Sequence, residues 1–235
     1  MATGELQHEL LGKVMVTVRQ NSRHVSARWK SGLVNLNVPQ GIRLPELKRI
    51  LDDLTPRLMA SRPQVTYHDG QELLFPYVDF VIRRQNFAPS KILGTASVPV
   101  SSVEVGSDWD MELESTSRAI SDMLCKIARK VAPEVLLPRA RDIADKTGQH
   151  PVGWIISSGH RTLGQCSGEG IISLSYVLVF LPAELSDYVI YHELAHLSEM
   201  NHSERFHKLL NHYLNGRETE LRRKLQAYIW PVLRK

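Results

Sequence analysis

Cysteine is nearly absent from this sequence: Cys125 and Cys166 are the two thiols among 235 residues. Two cysteines cannot form a disulfide framework, so a packed core must hold the fold. Aromatic residues are sparse as well, at 7%. The apolar stretch 171–180 is short and interrupted by Ser173 and Ser175. It falls well below the roughly 20 apolar residues a spanning helix needs, so no membrane-embedded segment is expected. The first eleven residues contain Glu5, His8 and Glu9 and lack a basic start followed by an apolar segment. No secretory signal is expected, and the expected location is cytoplasmic.

A hydrophobic content of 43% over this length suffices for one substantial domain or two small ones. The formal charge of +4 and a pI near 9.1 raise the question of a nucleic-acid partner. Lysine and arginine are spread over 19–49, 126–141 and 217–235, with acidic residues mixed in everywhere except 19–30. Such a distribution reads first as a solvated face and only second as a phosphate-binding surface.

The strongest signal is His192-Glu193-Leu194-Ala195-His196. On a helix, residues four apart lie about 40° from each other, so two imidazoles at this spacing reach one ion. Glu193, about 100° round from His192, leans toward the open side of that ion, where a carboxylate can deprotonate water. The flanking residues Leu185, Tyr188, Val189, Ile190, Leu194 and Leu197 are apolar on most sides, and Pro182 suits a helix start. Imidazoles buried in such a helix need a partner. The expected partner is Zn²⁺, with Glu193 as catalytic base.

A catalytic zinc site has three protein ligands and one open position. His202 is the expected third ligand. On an unbroken helix it would point about 80° away from His192, so the chain must turn back before it. Asn201 is the residue expected to break the helix in a left-handed conformation, with Ser203 capping a new helix that ends at Asn215-Gly216. The competing ligands are Glu218 and Glu220, with His207 and His212 as surface or supporting residues.

Strands are expected over 14–20, 25–29 and 33–38, with Ser31-Gly32 a hairpin turn, then a helix from Pro45 to Met59 bent by Pro56. Further strands are expected over 64–67, 72–75, 77–83 and 94–100. The acidic, Ser-rich stretch 101–110 reads as a boundary. Helices follow over 114–131 and 134–146, separated by Pro133, then strands near 152–157, 161–165 and 171–179, and three closing helices. The fold class is α+β, divided into a β-rich region with one helix, 1–110, and a second domain, 111–235. No internal repeat is visible. Cys166, in a Gly-rich turn, and Cys125, in a helical run, read as packing residues.

The run 187–196, DYVIYHELAH, followed by 201–206, NHSERF, resembles the signature of the YgjP-like metallopeptidase domain, a minimal zincin family related to the SprT-like and WLM-type domains. The stretch 161–166, RTLGQC, with 170–176 and Leu181-Pro182, is similar to the family's Arg-Trp-Gly-Ser-Cys turn, following strand and helix entry. The tryptophan of that turn is missing and the spacing is one residue longer. The basic stretch 19–28, the strand 32–39, the helix after it and the turn Tyr67-His68-Asp69-Gly70 resemble the family's β-rich leading half.

The resemblance implies a minimal zincin-like domain over 111–235, with a small sheet and the HExxH helix. It implies a zinc-dependent metallopeptidase with His192, His196 and His202 as metal ligands and Glu193 as catalytic base, acting on a peptide or protein. Strand 171–176 is a candidate to receive an extended peptide. A second enzyme reading is hydrolysis of a nucleotide phosphoanhydride, with Arg161, Arg205 and Arg217 holding the charged substrate. The third reading is a zinc-stabilised binding module.

Overall fold

In the computed structural model, which describes residues 2–19, 22, 24–30, 33–60, 65–86 and 90–233, alternating apolar side chains organise the first sheet. Its strands are β1 (Ala2–His8), β2 (Gly12–Arg19), β3 (Ser26–Lys30) and β4 (Leu33–Pro39), in the order β1-β2-β4-β3. Strands β2 and β4 are parallel; β1 and β3 flank them antiparallel. Val34, Leu36 and Val38 of β4 point to one face and are fully buried. There they meet Leu47, Leu51 and Leu58 of α1 (Leu44–Ala60) in one apolar cluster. The Trp29 indole donates to the Leu58 carbonyl at 2.7 Å. Pro56 sits within the last turns of α1 without ending it. The expected turn at Ser31-Gly32 lies outside the described residues.

Two compact units result: Met1–Gln64 together with Leu233–Lys235, and Val65–Val232. The boundary expected at 110/111 falls inside the second unit. Its first sheet is β5 (Glu72–Leu73), β6 (Asp79–Gln85), β7 (Ile92–Thr95) and β8 (Val100–Gly106), ordered β5-β6-β8-β7. Residues 101–106 of the stretch expected as a boundary belong to the inner strand β8. Val103 and Val105 alternate into the core, and the polar Ser101 is satisfied by the Ser97 backbone, accepting from its N–H at 3.1 Å and donating to its carbonyl at 2.8 Å. Residues 65–67 form no strand, and Gln64 lies outside the described residues.

Helix α2 (Glu114–Thr147) is the axis of this unit. Instead of two helices broken at Pro133, 34 residues run on through Pro133 and Pro138 to a left-handed Gly148. A proline in a helix forfeits one backbone hydrogen bond and costs about 3 kcal/mol. Burial of Ile127, Val131, Ala132, Leu136, Ala140 and Ile143 around the two prolines offsets that loss, because the core holds the helix on both sides of each.

The last sheet has β9 (Gly153–Ser157), β10 (Gly164–Cys166) and β11 (Ile171–Ser175), ordered β10-β11-β9. Strand β11, a candidate docking edge that reads equally as a core strand, is an inner strand: β10 pairs with it antiparallel and β9 parallel, so its main chain is used on both sides. The edge toward the site is β10. The strand expected to reach 179 stops at Ser175, and Tyr176–Phe180 forms a buried 3₁₀ turn capped by the Ser175 hydroxyl. Helices α3 (Ala183–His196), α4 (Glu204–Tyr213) and α5 (Glu218–Ala227) close the unit. Among the described residues, no helix is long and apolar enough to cross a membrane.

Candidate metal centre

Helix α3 begins after Pro182 and carries His192, Glu193 and His196 in its last turns. It ends at Leu197, which keeps right-handed angles. Asn201, expected to turn the chain by a left-handed conformation, does not have a positive φ; Asn215 does, at 50°, followed by Gly216 at 81°. The reversal is made instead over 197–202, where Ser203 N–H bonds the Asn201 carbonyl at 2.7 Å. The Ser203 hydroxyl then caps α4 by accepting from Phe206 N–H at 3.3 Å. This return brings His202 back over α3.

His192, His196 and His202 converge: each offers one nitrogen, and the three lie within 4.8 Å of one another. Nε2 of His192 and Nε2 of His202 are 3.0 Å apart. Nitrogens held at about 2.0–2.1 Å from one tetrahedral ion stand roughly 3.3 Å apart, so these donors suit a zinc-sized cation. Nδ1 of His196 donates to the Glu199 carbonyl at 3.1 Å, which leaves Nε2 as the free electron pair. Nδ1 of His192 is buried with no hydrogen-bond partner among the described residues, so packing orients that ring. Burial pushes the His192 imidazole down to about 4, with His196, His202 and His207 lowering it further. It is therefore a neutral donor near pH 7, as a metal ligand must be.

Phe206 is the floor of the cluster. Fully buried, its ring lies 4.9, 4.5 and 4.8 Å from the rings of His192, His196 and His202. An apolar wall under three imidazoles fixes their planes and keeps water from that side. Its place in the run NHSERF was visible, but nothing in the sequence said that it touches all three rings.

Glu193 lies on the neighbouring face of α3, 5% exposed and against β10. Burial raises its carboxyl to about 7, partly countered by the Cys166 backbone N–H. Gly164 makes room for it: a Cβ there would stand 2.6 Å from both Cγ and Oε1 of Glu193. Cys166, on the same strand, has its thiol raised by burial and then by Glu193. That is the reverse of what a nucleophilic thiolate requires.

The competing ligands are engaged elsewhere. Glu218, 5% exposed, accepts from His207 Nδ1 at 2.8 Å and from Asn211 Nδ2 at 3.0 Å. Glu220 pairs with Arg217 and Lys224. Of the arginines considered for a charged substrate, Arg161 and Arg205 are exposed, while Arg217 is held by Glu184 and Glu220. His212 lies beside Tyr213, with the rings tilted by 51° and their centroids 6.2 Å apart, outside the cluster. Helix α3 is itself anchored to α2 by a two-pronged bond: Arg139 Nε to Asp187 Oδ1 at 3.0 Å, and Nη2 to Oδ2 at 2.6 Å.

A helix with two histidines and a buried glutamate, a third histidine returned onto it and a short sheet alongside are the parts of a metal-dependent peptidase. The chain belongs to the YgjP-like metallopeptidase domain family, whose model matches residues 23–228. A solved structure, described as the metallopeptidase zymogen of Pyrococcus abyssi abylysin, is similar at 26% identity, over 37% of this chain and 89% of that one, with a TM-score of 0.34. No curated protein matches the chain.

Proposed function

We propose that this chain is a zinc-dependent metallopeptidase in which His192, His196 and His202 hold Zn²⁺ and Glu193 is the general base. The observation that supports it is the meeting of three imidazole nitrogens beside a buried carboxylate. A zinc ion bound there supplies a Lewis acid that acidifies water and polarises a carbonyl oxygen.

The chain's own residues do the rest. Glu193, the carboxylate that follows His192 on α3, takes the proton of the attacking water and delivers it to the leaving amine. Gly164 and the Cys166 N–H fix where that carboxylate sits. Phe206 holds the planes of the three imidazoles, and the Glu199 carbonyl fixes the tautomer of His196 that points Nε2 toward the shared position.

The substrate is an extended peptide lying along β10. Within the β10–β11 hairpin, Ser167 N–H bonds the Ile171 carbonyl and Ser175 N–H the Leu163 carbonyl. By antiparallel alternation the backbone groups of Gly164 and Cys166 then face outward, where the Cys166 N–H holds Glu193 and the Gly164 groups and the Cys166 carbonyl meet the open edge. A peptide pairing there places its carbonyls beside the metal centre.

The test is cleavage of a labelled casein or peptide library by the zinc-loaded chain beside Glu193→Gln. Activity lost by at least about 10²-fold with zinc content unchanged supports the assignment. Full activity in the variant sinks it.

A further inference from the structure

Two sheets in this chain follow one plan, although no repeat shows in the sequence. In each, two hairpins place their inner strands side by side and parallel: β2 with β4, and β6 with β8. The outer strands are antiparallel to them, giving β1-β2-β4-β3 and β5-β6-β8-β7, and a helix follows the last strand. One module thus occurs twice, and each copy serves as a control for the other.

The two copies differ in the sheet face turned away from their helix. In the first, the register that puts Val34, Leu36 and Val38 inward puts Asn35 and Asn37 outward: Asn35 between Arg28 of β3 and Met15 of β2, and Asn37 between Ser26 of β3 and Thr17 of β2, one pleat from Arg19. Arg19 and Arg28 are exposed. Arg19 Nε donates to Asn37 Oδ1 at 3.0 Å, and Asn37 Nδ2 donates to Ser26 Oγ at 3.4 Å, so the polar row is ordered across three strands. Glu5, the acid on this face, is neutralised by Lys13 at 2.8 Å. In the second copy the corresponding register sets Arg83 opposite Glu104 and adds Glu72.

Charge over the whole chain follows the same division. Residues 1–64 carry ten lysines and arginines against five acids, and 65–235 carry nineteen against twenty. The entire basic excess of the protein therefore lies in the first module.

We propose that the outer face of the β2-β4-β3 strip docks double-stranded DNA, with Arg19 and Arg28 on phosphates and Asn35 and Asn37 as uncharged donors between them. The four strands of this sheet, at about 4.8 Å spacing, are about 14 Å across, wider than a major groove of about 12 Å, so the face lies over the bordering phosphates and does not enter the groove. Guanidinium and amide groups are the types that bind phosphate oxygens and groove edges. No aromatic side chain among the described residues of these strands lies on this face, since Trp29 points inward to Leu58. Unpaired strands are held by stacking, which this face cannot offer, so a duplex is the occupant that it fits.

The test is fluorescence anisotropy of a labelled 20-base-pair DNA with the full chain, from 50 to 200 mM salt. Two phosphate contacts predict binding that weakens about tenfold over that range. Arg19→Glu with Arg28→Glu should weaken binding at least tenfold at 50 mM salt and remove about two from the salt slope, while Arg83→Glu on the second copy changes nothing. Circular dichroism checks that the double variant is folded; if it is not, Arg28→Gln and the wild-type salt slope carry the test. Absence of binding at 50 mM salt, insensitivity to the two arginines, or tighter binding of single-stranded DNA or polyglutamate would overturn the proposal.

Discussion

Gly164 and Glu193 share a space that no side chain at position 164 could enter, since a Cβ there would stand 2.6 Å from the carboxylate's own atoms. The obstacle is Glu193 itself, so the conflict resolves by pushing that side chain off its position. Gly164→Ala should therefore lower kcat by at least about tenfold, because a displacement of order 1 Å is enough to spoil a proton transfer, while zinc stoichiometry stays at the wild-type value. Peptide cleavage measured beside metal content checks this; unaltered kcat would show that Glu193 has room to spare.

The third ligand separates by removing each contender in turn. His202→Ala should lose most of its zinc, because it removes one of three converging nitrogens. Glu218→Gln should keep zinc, since Glu218 faces His207 and Asn211. Elemental analysis of both variants decides the matter. The opposite pattern, zinc kept by the first and lost by the second, would move the ligand to the glutamate.

Phe206 carries a stability prediction with a metal readout. Phe206→Ala removes a fully buried ring and should destabilise the protein by about 3–5 kcal/mol. It should also weaken zinc binding, because the three imidazoles lose the wall that orients them. Phe206→Leu, which keeps a wall, should recover most of both. Denaturant melts with and without zinc report the two effects; equal metal affinity in all three proteins would make Phe206 packing alone.

How much of this was legible beforehand depends on how local the signal was. His192, Glu193 and His196 were readable because helical periodicity alone brings them together, and Ser203 because capping is a two-residue event. His202 was readable as a candidate, though by a return the sequence misattributed to Asn201. The continuous α2 was not readable: Pro133 is a local break signal, and what overrides it is burial against elements distant in sequence. Strand β8 was hidden for the same reason, since Ser101, Ser102 and Glu104 look like a linker until pairing with β6 and β7 defines their two faces. Gly164 read as a turn glycine; its role follows only once β10 lies under α3. The repeated module escaped because two copies of a topology need share no residue pattern beyond alternation.

The ion pairs between α3 and α5 give a dependence on pH whose sign can be worked out. Glu184 at the start of α3 accepts from Lys224 and Arg217 of the last helical segment, each at 2.9 Å, and the Lys224 bond first and the Arg217 bond second hold its carboxyl below the usual range. Glu220 is held lower still, at about 2, by Arg217 and then Lys224. A carboxyl whose pKa is depressed by folding stabilises the native state fully above its unfolded value, near about 4.3 for glutamate, and loses that contribution as pH falls through the folded one. The difference in Tm between wild type and Glu184→Gln/Glu220→Gln should thus stay constant from pH 8 to 5 and shrink between about pH 4.5 and 2. These groups are exposed, so 0.5 M salt should shrink it as well. A Tm difference that persists unchanged at pH 2 would mean that the glutamines act through packing or helix propensity, and that α3 is positioned by Arg139 and Asp187 without help from this network.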